Sequence, residues 1–552
     1  MSNKSFRIKA ITLILIFASL WLCSAGRLFY LQIMKSREIS KRMRAEQLRH
    51  LLTEAKRGDI LDRKGRVLAT DLKMYTLYAK RDLIEDPQKT ADALSNYGIG
   101  SKSRLESLLK DDAKFIKIAR GVPDSIVEEI ELKGIYAVRE WYRYYPSRKI
   151  GRTTIGALNW KREGIIGIER EYNDLLMGID GWAYYLEVPR YSGIKLLKKS
   201  EADYKDPIHG KDIYLTIDLD LQTIMDNELR ELKESTQADQ VMGICVSVHT
   251  GEILSMVSIP EFEPQEGWSN NGCTSWEFEP GSIFKLIPAF AYLRNGFSPG
   301  DIVVDSTSST SFGGKVFRDL HSHPAYTFRE AIIHSSNAGF ISVGEMVGKK
   351  EMYRCARLLG IGCKTGIDLP IEYSGKIPVL PRERDIRLAT VSFGQGVSVT
   401  PLQMVMAYQA IANDGVLLRP RVMKEVRRNH KVIRKSGKEV IRRLGDPGIS
   451  RTLLDVLHDA ALKGTGLTAS LSLLPIAGKT GTAWRVKNGR YVKGEYISSF
   501  VGMFPYPKPE FVIGIFIDNP KGAYYASLTA CPAFREVAKR MALLKGFRKN
   551  LL

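Results

Sequence analysis

Three short polar strings, Ser282-Ile-Phe-Lys285, Ser335-Ser-Asn337 and Lys479-Thr-Gly-Thr482, stand in this order but far apart in the chain. A fold that uses all three must bring them to one point, which constrains topology more tightly than any compositional property. A serine hydroxyl is a weak nucleophile at its own pKa and needs a base within hydrogen-bond reach. Residues three apart share a helix face, so Lys285 stands one turn from Ser282. Glu279-Pro-Gly281 reads as a helix start. It sets Ser282 in a first turn, where free N–H groups and the helix dipole favour developing negative charge.

Each string alone is weak. Ser107 with Lys110 and Ser192 with Lys195 repeat the first spacing, Ser269-Asn-Asn271 repeats the second, and Lys364-Thr-Gly366 and Lys435-Ser-Gly437 repeat the third. Order and context separate the chosen set. Ser335-Ser-Asn337 lies in an apolar run that predicts helix on both sides, Ala331-Ile-Ile-His before it and Ala338-Gly-Phe-Ile after it. Lys479 to Ala483 precedes two strand-like runs, Tyr496 to Phe504 and Phe511 to Ile517, which predict an antiparallel hairpin beside the third string. Lys364-Thr-Gly366 runs into a loop instead.

The 552 residues carry a formal charge of +21, which invites an anionic partner. Nucleic acid is excluded as that partner by the lack of zinc-ligand spacing, of a basic helix with heptads and of an aromatic RNA-binding string. A polyanionic membrane surface or wall polymer suits the rest of the chain. The six cysteines form no Cys-x-x-Cys pair, which excludes a metal ribbon and thioredoxin-like chemistry. Cys23 lies in an apolar segment and leaves an odd number, so a full disulfide framework is excluded.

Ala10 to Gly26 carries no charge and the apolar character resumes through Leu28 to Met34. That length suits an uncleaved membrane anchor better than a signal peptide. Lys4, Arg7 and Lys9 precede the span, and Arg27, Lys35, Arg37, Lys41, Arg42 and Arg44 follow it. Flanking charge alone would leave the large domain in the cytoplasm, although large domains translocate largely regardless of charge.

The reading divides the chain into a tail (1–9), an anchor (10–34), a stalk helix (35–56), a non-catalytic pedestal (57–205) and a catalytic domain (206–552). The stalk rests on the helical spacing of Met43, Leu48, Leu51 and Leu52. Ile84 to Leu109 and Pro123 to Leu132 predict helices. Arg57-Gly-Asp-Ile-Leu-Asp-Arg63 and the residues to Ala69 predict a hairpin with Gly turns. Asp212 to Asp218 predicts a strand, Leu219 to Lys233 a helix, and Val241 to Val248 with Glu252 to Ile259 a strand–turn–strand pair.

Further blocks carry a resemblance: Arg57 to Arg63, Gly164 to Gly181, Leu215-Thr-Ile-Asp218 with Leu221-Gln222, Thr250-Gly-Glu-Ile-Leu254, Phe393-Gly-Gln-Gly396 and Thr400-Pro-Leu-Gln403. With the three strings they resemble the class B, monofunctional, penicillin-binding proteins, from the apolar segment nearly to Leu552. The resemblance implies an α+β chain: one transmembrane helix, an elongated dimerisation-type pedestal, and a transpeptidase domain whose five-stranded antiparallel sheet is flanked by helices. It implies Ser282 as the nucleophile that attacks the penultimate D-Ala of a peptidoglycan stem peptide, with Lys285 as its base. Ser335 would relay the proton to the departing D-Ala and Asn337 would hold the stem amide. Lys479 would supply positive potential, and Thr480 and Thr482, flanking Gly481, would hold the terminal carboxylate. Backbone N–H groups of Ser282 and Thr482 would form the oxyanion hole, and no metal or organic cofactor is implied.

The implied substrate lies outside the cytoplasmic membrane, so the catalytic domain is expected there, with the N-terminus inside. Penicillin-type inhibitors, membrane lipid, a membrane-embedded glycosyltransferase and other division proteins are the implied partners. Ser-Ser-Asn and Lys-Thr-Gly, where elongation enzymes commonly carry Ser-x-Asp and Lys-Ser-Gly, favour the septal type. The alternatives are an elongation-type transpeptidase, a D,D-carboxypeptidase or β-lactamase-like hydrolase, and a non-enzymatic division scaffold.

Overall fold

A computed structural model describes residues 2–36, 38, 48–111, 113–187, 194–196, 204–261, 270–305, 308–319, 325–379, 385–471, 474–487 and 489–546. The chain separates into two compact units, residues 1–56 with 178–209, and residues 57–177 with 210–552. The division falls inside the stretch expected as one pedestal.

In the first unit, Ser2–Phe29 is an α-helix that continues as a wider turn through Met34. Phe6–Met34 is the one helix, among the described residues, long and apolar enough to cross a membrane, and its side chains are exposed. The expected stalk helix is corrected at its C-terminal end. Leu48–Thr53 is a strand, paired antiparallel with Gly181–Glu187. The spacing of four apolar residues cannot register a partner so distant in sequence, and pairing with that partner decides the conformation. Residues 37 and 39–47 of the expected stalk lie outside the described residues.

The second unit begins at Arg57. Its first part is built on the long strand Val67–Lys80, which pairs with Phe115–Val122 and with Ile135–Tyr144. Leu77, Leu94, Leu105, Leu109, Ile116 and Ile118 form its small core. The helix expected over 84–109 is two, Pro87–Asn96 and Lys102–Leu109, because Gly98 takes φ +73° between them. The helix expected from Pro123 shrinks to Asp124–Val127.

Arg57 is 2% exposed and its charge must be neutralised where it lies. Its Nε donates to Glu169 at 2.7 Å and its Nη1 to Asn173 at 3.0 Å, while Arg143 holds the other Glu169 oxygen at 2.7 Å. Asp71 accepts from Arg143 and Arg162. Three arginines and two carboxylates therefore join the two blocks singled out in the sequence, Arg57 to Arg63 and Gly164 to Gly181. The first block then runs on as Ile60–Leu61, which hairpins with Val67–Lys80 around Gly65 (φ +89°) and lies parallel to Asp212–Leu215. Arg63 pairs with Glu252, and Lys64 and Arg66 pair with Asp220. This edge fastens the first part of the unit to the second.

The second part is organised by a five-stranded sheet in the order Ile253–Ile259, Gln240–Ser247, Phe511–Asp518, Arg490–Phe504, Ala477–Lys487. Every neighbouring pair is antiparallel. Phe511–Asp518 is buried throughout, and its alternation shows why the sheet sits at the centre. Phe511, Ile513, Ile515 and Ile517 face the core that contains helices Leu219–Thr236 and Ala530–Leu544, whereas Val512 and Phe516 face the other core. That second core contains helices Leu286–Arg294, Asn337–Leu358 and Pro401–Ala412. Each fully buried Ile or Phe stabilises the arrangement by about 1.5–3 kcal/mol. At Gly514 any Cβ would come within 2.5 Å of Val405, so the glycine lets the Pro401–Ala412 helix settle on the sheet.

Candidate active site

The turn that carries Ser282 is held between two glycine contacts. Pro280 is followed by a tight 3₁₀ turn, Gly281–Lys285, which passes into the helix Leu286–Arg294. Gly281 has φ +54°, a region that side chains disfavour, and its N–H donates to Gly394 O at 3.1 Å. A Cβ on Gly394 would sit 2.1 Å from Gly281 O. The Phe393-Gly-Gln-Gly396 block therefore packs directly beneath the turn. On the other side, a Cβ on Gly481 would stand 3.0 Å from Pro280 O and 2.5 Å from Ser499 Oγ, so only glycine lets the third string approach the first. Ile283 and Phe284 are buried, and Tyr408 donates to Ile283 O. Ser282 is half-buried, and its hydroxyl makes no hydrogen bond among the described residues.

Lys285 is 1% exposed, yet its ammonium is fully served. Nζ donates to Ser335 O at 2.6 Å, to Asn337 Oδ1 at 2.8 Å and to Ser335 Oγ at 3.2 Å, and lies 5.3 Å from the Phe340 ring centre. Burial pushes its pKa well below the usual lysine value. The Lys479 charge pushes the same way, and Asp319 opposes both.

The second string is not the uninterrupted helix its apolar flanks predict. Phe328–Ile333 ends, Ser335 takes a left-handed φ of +57°, and a new helix starts at Asn337 with Ser336 as its cap. A non-glycine residue held there costs about 1–3 kcal/mol and persists only where its surroundings over-determine it. What it gains is position: the break turns both the carbonyl and the hydroxyl of Ser335 onto Lys285. Asp319, which no sequence motif flagged, fixes the break from outside. Its carboxylate accepts from Asn337 N at 2.8 Å, from Ala338 N at 3.1 Å and from Ser336 Oγ.

The third string is an edge strand of the sheet, with Lys479 opposite Val501 and Thr482 opposite Ser498. Lys479 is 2% exposed and burial lowers its pKa to about 7. Its nearest oxygens, Thr480 O and Oγ1, are both 3.5 Å away. Thr480 Oγ1 is in turn 2.5 Å from Thr465 Oγ1. Lys479 is thus a buried, underpartnered cation, suited to a carboxylate.

The structure therefore brings Lys285, Ser335 and Asn337 into direct hydrogen bonding and sets Gly481 against the Ser282 turn. It does not join Ser282 to Lys285 by a hydrogen bond. Among the rival matches, Ser107 and Lys110 sit by a pedestal helix, Thr365 is spent on Glu372, and Lys435 ends the exposed strand Lys431–Lys435. Ser269 and Ser192 lie outside the described residues. The six cysteines are all free thiols.

A serine at a helix start, a buried lysine of depressed pKa, a second hydroxyl on that lysine and a cationic edge strand define a serine–lysine acyl-transfer site on an α/β scaffold. Comparison with known proteins agrees. The penicillin-binding protein transpeptidase domain matches residues 242–539, and the penicillin-binding protein dimerisation domain matches residues 52–215. Stage V sporulation protein D of Bacillus subtilis is 31% identical over 94% of this chain and 83% of its own length. Peptidoglycan D,D-transpeptidase FtsI of Buchnera aphidicola is 27% identical over 93% of this chain and 91% of its own. The crystal structure of penicillin-binding protein 3 from Mycobacterium tuberculosis complexed with aztreonam superposes with a TM-score of 0.69 at 25% identity, covering 90% of this chain and 97% of that one. This chain belongs to the penicillin-binding proteins that carry a dimerisation domain and a transpeptidase domain.

Proposed function

We propose that this chain is a peptidoglycan D,D-transpeptidase that cross-links stem peptides through an acyl-enzyme on Ser282 and is acylated at the same residue by penicillins. The observation that carries the reading is the buried Lys285, with two obligate acceptors, Ser335 O and Asn337 Oδ1, and one hydroxyl, Ser335 Oγ, around its nitrogen. A neutral amine keeps two N–H donors and one lone pair. The two obligate acceptors claim the donors, which leaves the lone pair for a hydroxyl proton. Burial and Lys479 supply the depressed pKa that a neutral lysine base requires.

In the reaction, Ser282 Oγ bonds to the penultimate D-Ala carbonyl carbon and its proton passes to Lys285. Negative charge gathers on the carbonyl oxygen against the backbone N–H groups of Ser282 and Thr482. The tetrahedral species collapses, the bond to the terminal D-Ala breaks, and that amine leaves with a proton relayed by Ser335. Asn337 holds the stem amide, while Lys479, Thr480 and Thr482 hold the departing carboxylate. The amine of a neighbouring stem then attacks the ester, forms the cross-link and frees Ser282.

The relatives' names support a wall-synthesis role, and FtsI and penicillin-binding protein 3 among them support the septal type. The apolar Phe6–Met34 helix supports a single-pass anchor, and the proposed substrate, which lies outside the cytoplasmic membrane, requires the catalytic domain on that side, near lipid and a membrane-embedded glycosyltransferase. The test is labelling with a fluorescent penicillin. Wild type is expected to label covalently and Ser282→Ala to lose the label; equal labelling of both overturns the reading.

A further inference from the structure

Phe284 stands between Ser282 and Lys285 in the sequence, and against it lies a cavity of about 450 Å³ that the proposed reaction does not use. Its apolar wall is formed by Phe284, Met352, Ala356, Ile377 and Val391. Lys349 and Lys350 are the charged residues of its lining, and no acidic or amide side chain joins them among the described residues. Tyr353 is also in the lining, and its oxygen accepts from Arg357 at 3.0 Å.

This lining selects for chemistry. The volume falls in the range of roughly 300–1,000 Å³ that takes a small organic ligand. A peptide would carry N–H and C=O groups, and a sugar would carry hydroxyls, against a wall whose side chains are mostly apolar, and each unpaired group would cost free energy. An alkyl chain carries no such groups and gains by leaving water.

The charge at the lining fixes the other end of the ligand. Lys350 is exposed and forms no ion pair among the described residues. Glu351, the adjacent acid, is engaged by Arg294 at 3.5 Å and by Arg354 at 3.7 Å. The helix Asn337–Leu358 is interrupted at Gly348 (φ +74°), so Lys349 and Lys350 open its second stretch. The helix dipole there adds to the positive field of the two lysines.

We propose that this cavity binds a single-chain anionic amphiphile, a carboxylate of the fatty-acid class, with its chain against Phe284 and its head at Lys350, and that the bound chain braces the Ser282 turn. The bracing follows from position. Phe284 belongs to the turn itself, and Val391 leads into the Phe393-Gly-Gln-Gly396 block, whose Gly394 packs on Gly281 O. A chain that fills the cavity therefore supports the turn directly and through the block beneath it.

The test uses the full chain in nanodiscs of zwitterionic lipid and decanoate that carries a diazirine at the end of its chain. On irradiation the diazirine loses nitrogen and its carbene inserts into a bond of the nearest residue. Peptide mapping should place the adduct within residues 349–356 or 377–379. Unlabelled decanoate should compete it away, whereas decanol should compete at least about fivefold less well, since it lacks the charge that Lys350 meets. Lys350→Glu, at an exposed position, should weaken decanoate competition by at least the same factor of about five while penicillin still labels Ser282. Ala356→Phe fills the cavity and should lose the adduct, with penicillin labelling as the check that this variant folds. Saturating decanoate should speed penicillin acylation of wild type by at least about fivefold, the low end of coupling between two sites. An adduct that maps elsewhere, decanol competing equally, or unchanged competition in Lys350→Glu overturns the site. A penicillin acylation rate that decanoate leaves unchanged overturns the bracing. Each of these outcomes leaves the transpeptidase reading standing, because penicillin labelling of Ser282 is read separately.

Discussion

Lys285 Nζ donates to Asn337 Oδ1 at 2.8 Å, a bond that ties the first string to the second and leaves neither side chain free to turn away. Asn337 thereby orients the Lys285 ammonium, the proposed base for Ser282. Lys285→Arg keeps the charge, fills the space badly and removes a base that can be neutral near pH 7. Penicillin acylation, measured by stopped flow, should fall by about 10²–10⁴, the range for loss of a general base. A wild-type rate in that variant removes Lys285 from the role of base.

The two buried lysines give a pH profile with opposite signs. Lys285 must be neutral, so acylation is lost as pH falls through its depressed pKa. Lys479 must be charged to hold a carboxylate, and its pKa is lowered to about 7, so acylation is lost as pH rises through that value. The profile of kcat/KM, which reports the free enzyme, should therefore be bell-shaped with its alkaline limb near 7. Lys479→Arg keeps the cation at every accessible pH and should remove the alkaline limb. An alkaline limb unmoved by that substitution would assign it to another group.

Asp319 holds the start of the helix that carries Asn337, through Asn337 N and Ala338 N. Asp319→Ala should cost about 0.5–2 kcal/mol in thermal unfolding, as for other lost helix caps. It should also slow acylation at least about tenfold, since one displaced hydrogen bond at Lys285 is worth about 1.4 kcal/mol or more. A melting shift without a rate effect would confine Asp319 to stability.

In the pedestal, Arg57 and Arg143 neutralise Glu169, which is fully buried. Arg57→Ala strips one partner from that carboxylate and should destabilise the fold by about 3–5 kcal/mol. Arg57→Lys should recover little, because a single ammonium cannot reproduce bonds to Glu169 Oε2, Glu169 O and Asn173 at once. Chemical denaturation of the two variants reads the difference.

Much of the site was legible because its chemistry is local. Ser282 and Lys285 share one turn, and the hairpin beside Lys479 announces itself by two strand-like apolar runs. The sheet was legible for the same reason, since Phe511–Asp518 and Gln240–Ser247 are apolar on both faces. What escaped depends on distant partners. Asp319 lies 18 residues before Asn337, and only the fold sets its carboxylate on a helix start. The left-handed Ser335 is invisible to periodicity, because apolar residues on either side continue the helical pattern across the break. Leu48–Thr53 became a strand through pairing with Gly181–Glu187, a contact that no window of neighbouring residues contains. The Arg57–Glu169 pair joined two blocks that sequence could recognise separately but could not join.

The central claim is that Ser282 is the residue that becomes acylated, and intact-mass measurement after exposure to benzylpenicillin, followed by peptide mapping, tests it most directly. The account predicts one covalent adduct of the penicillin's mass, located on the peptide containing Ser282 and absent from Ser282→Ala. An adduct on another serine, or one that persists in Ser282→Ala, would contradict it.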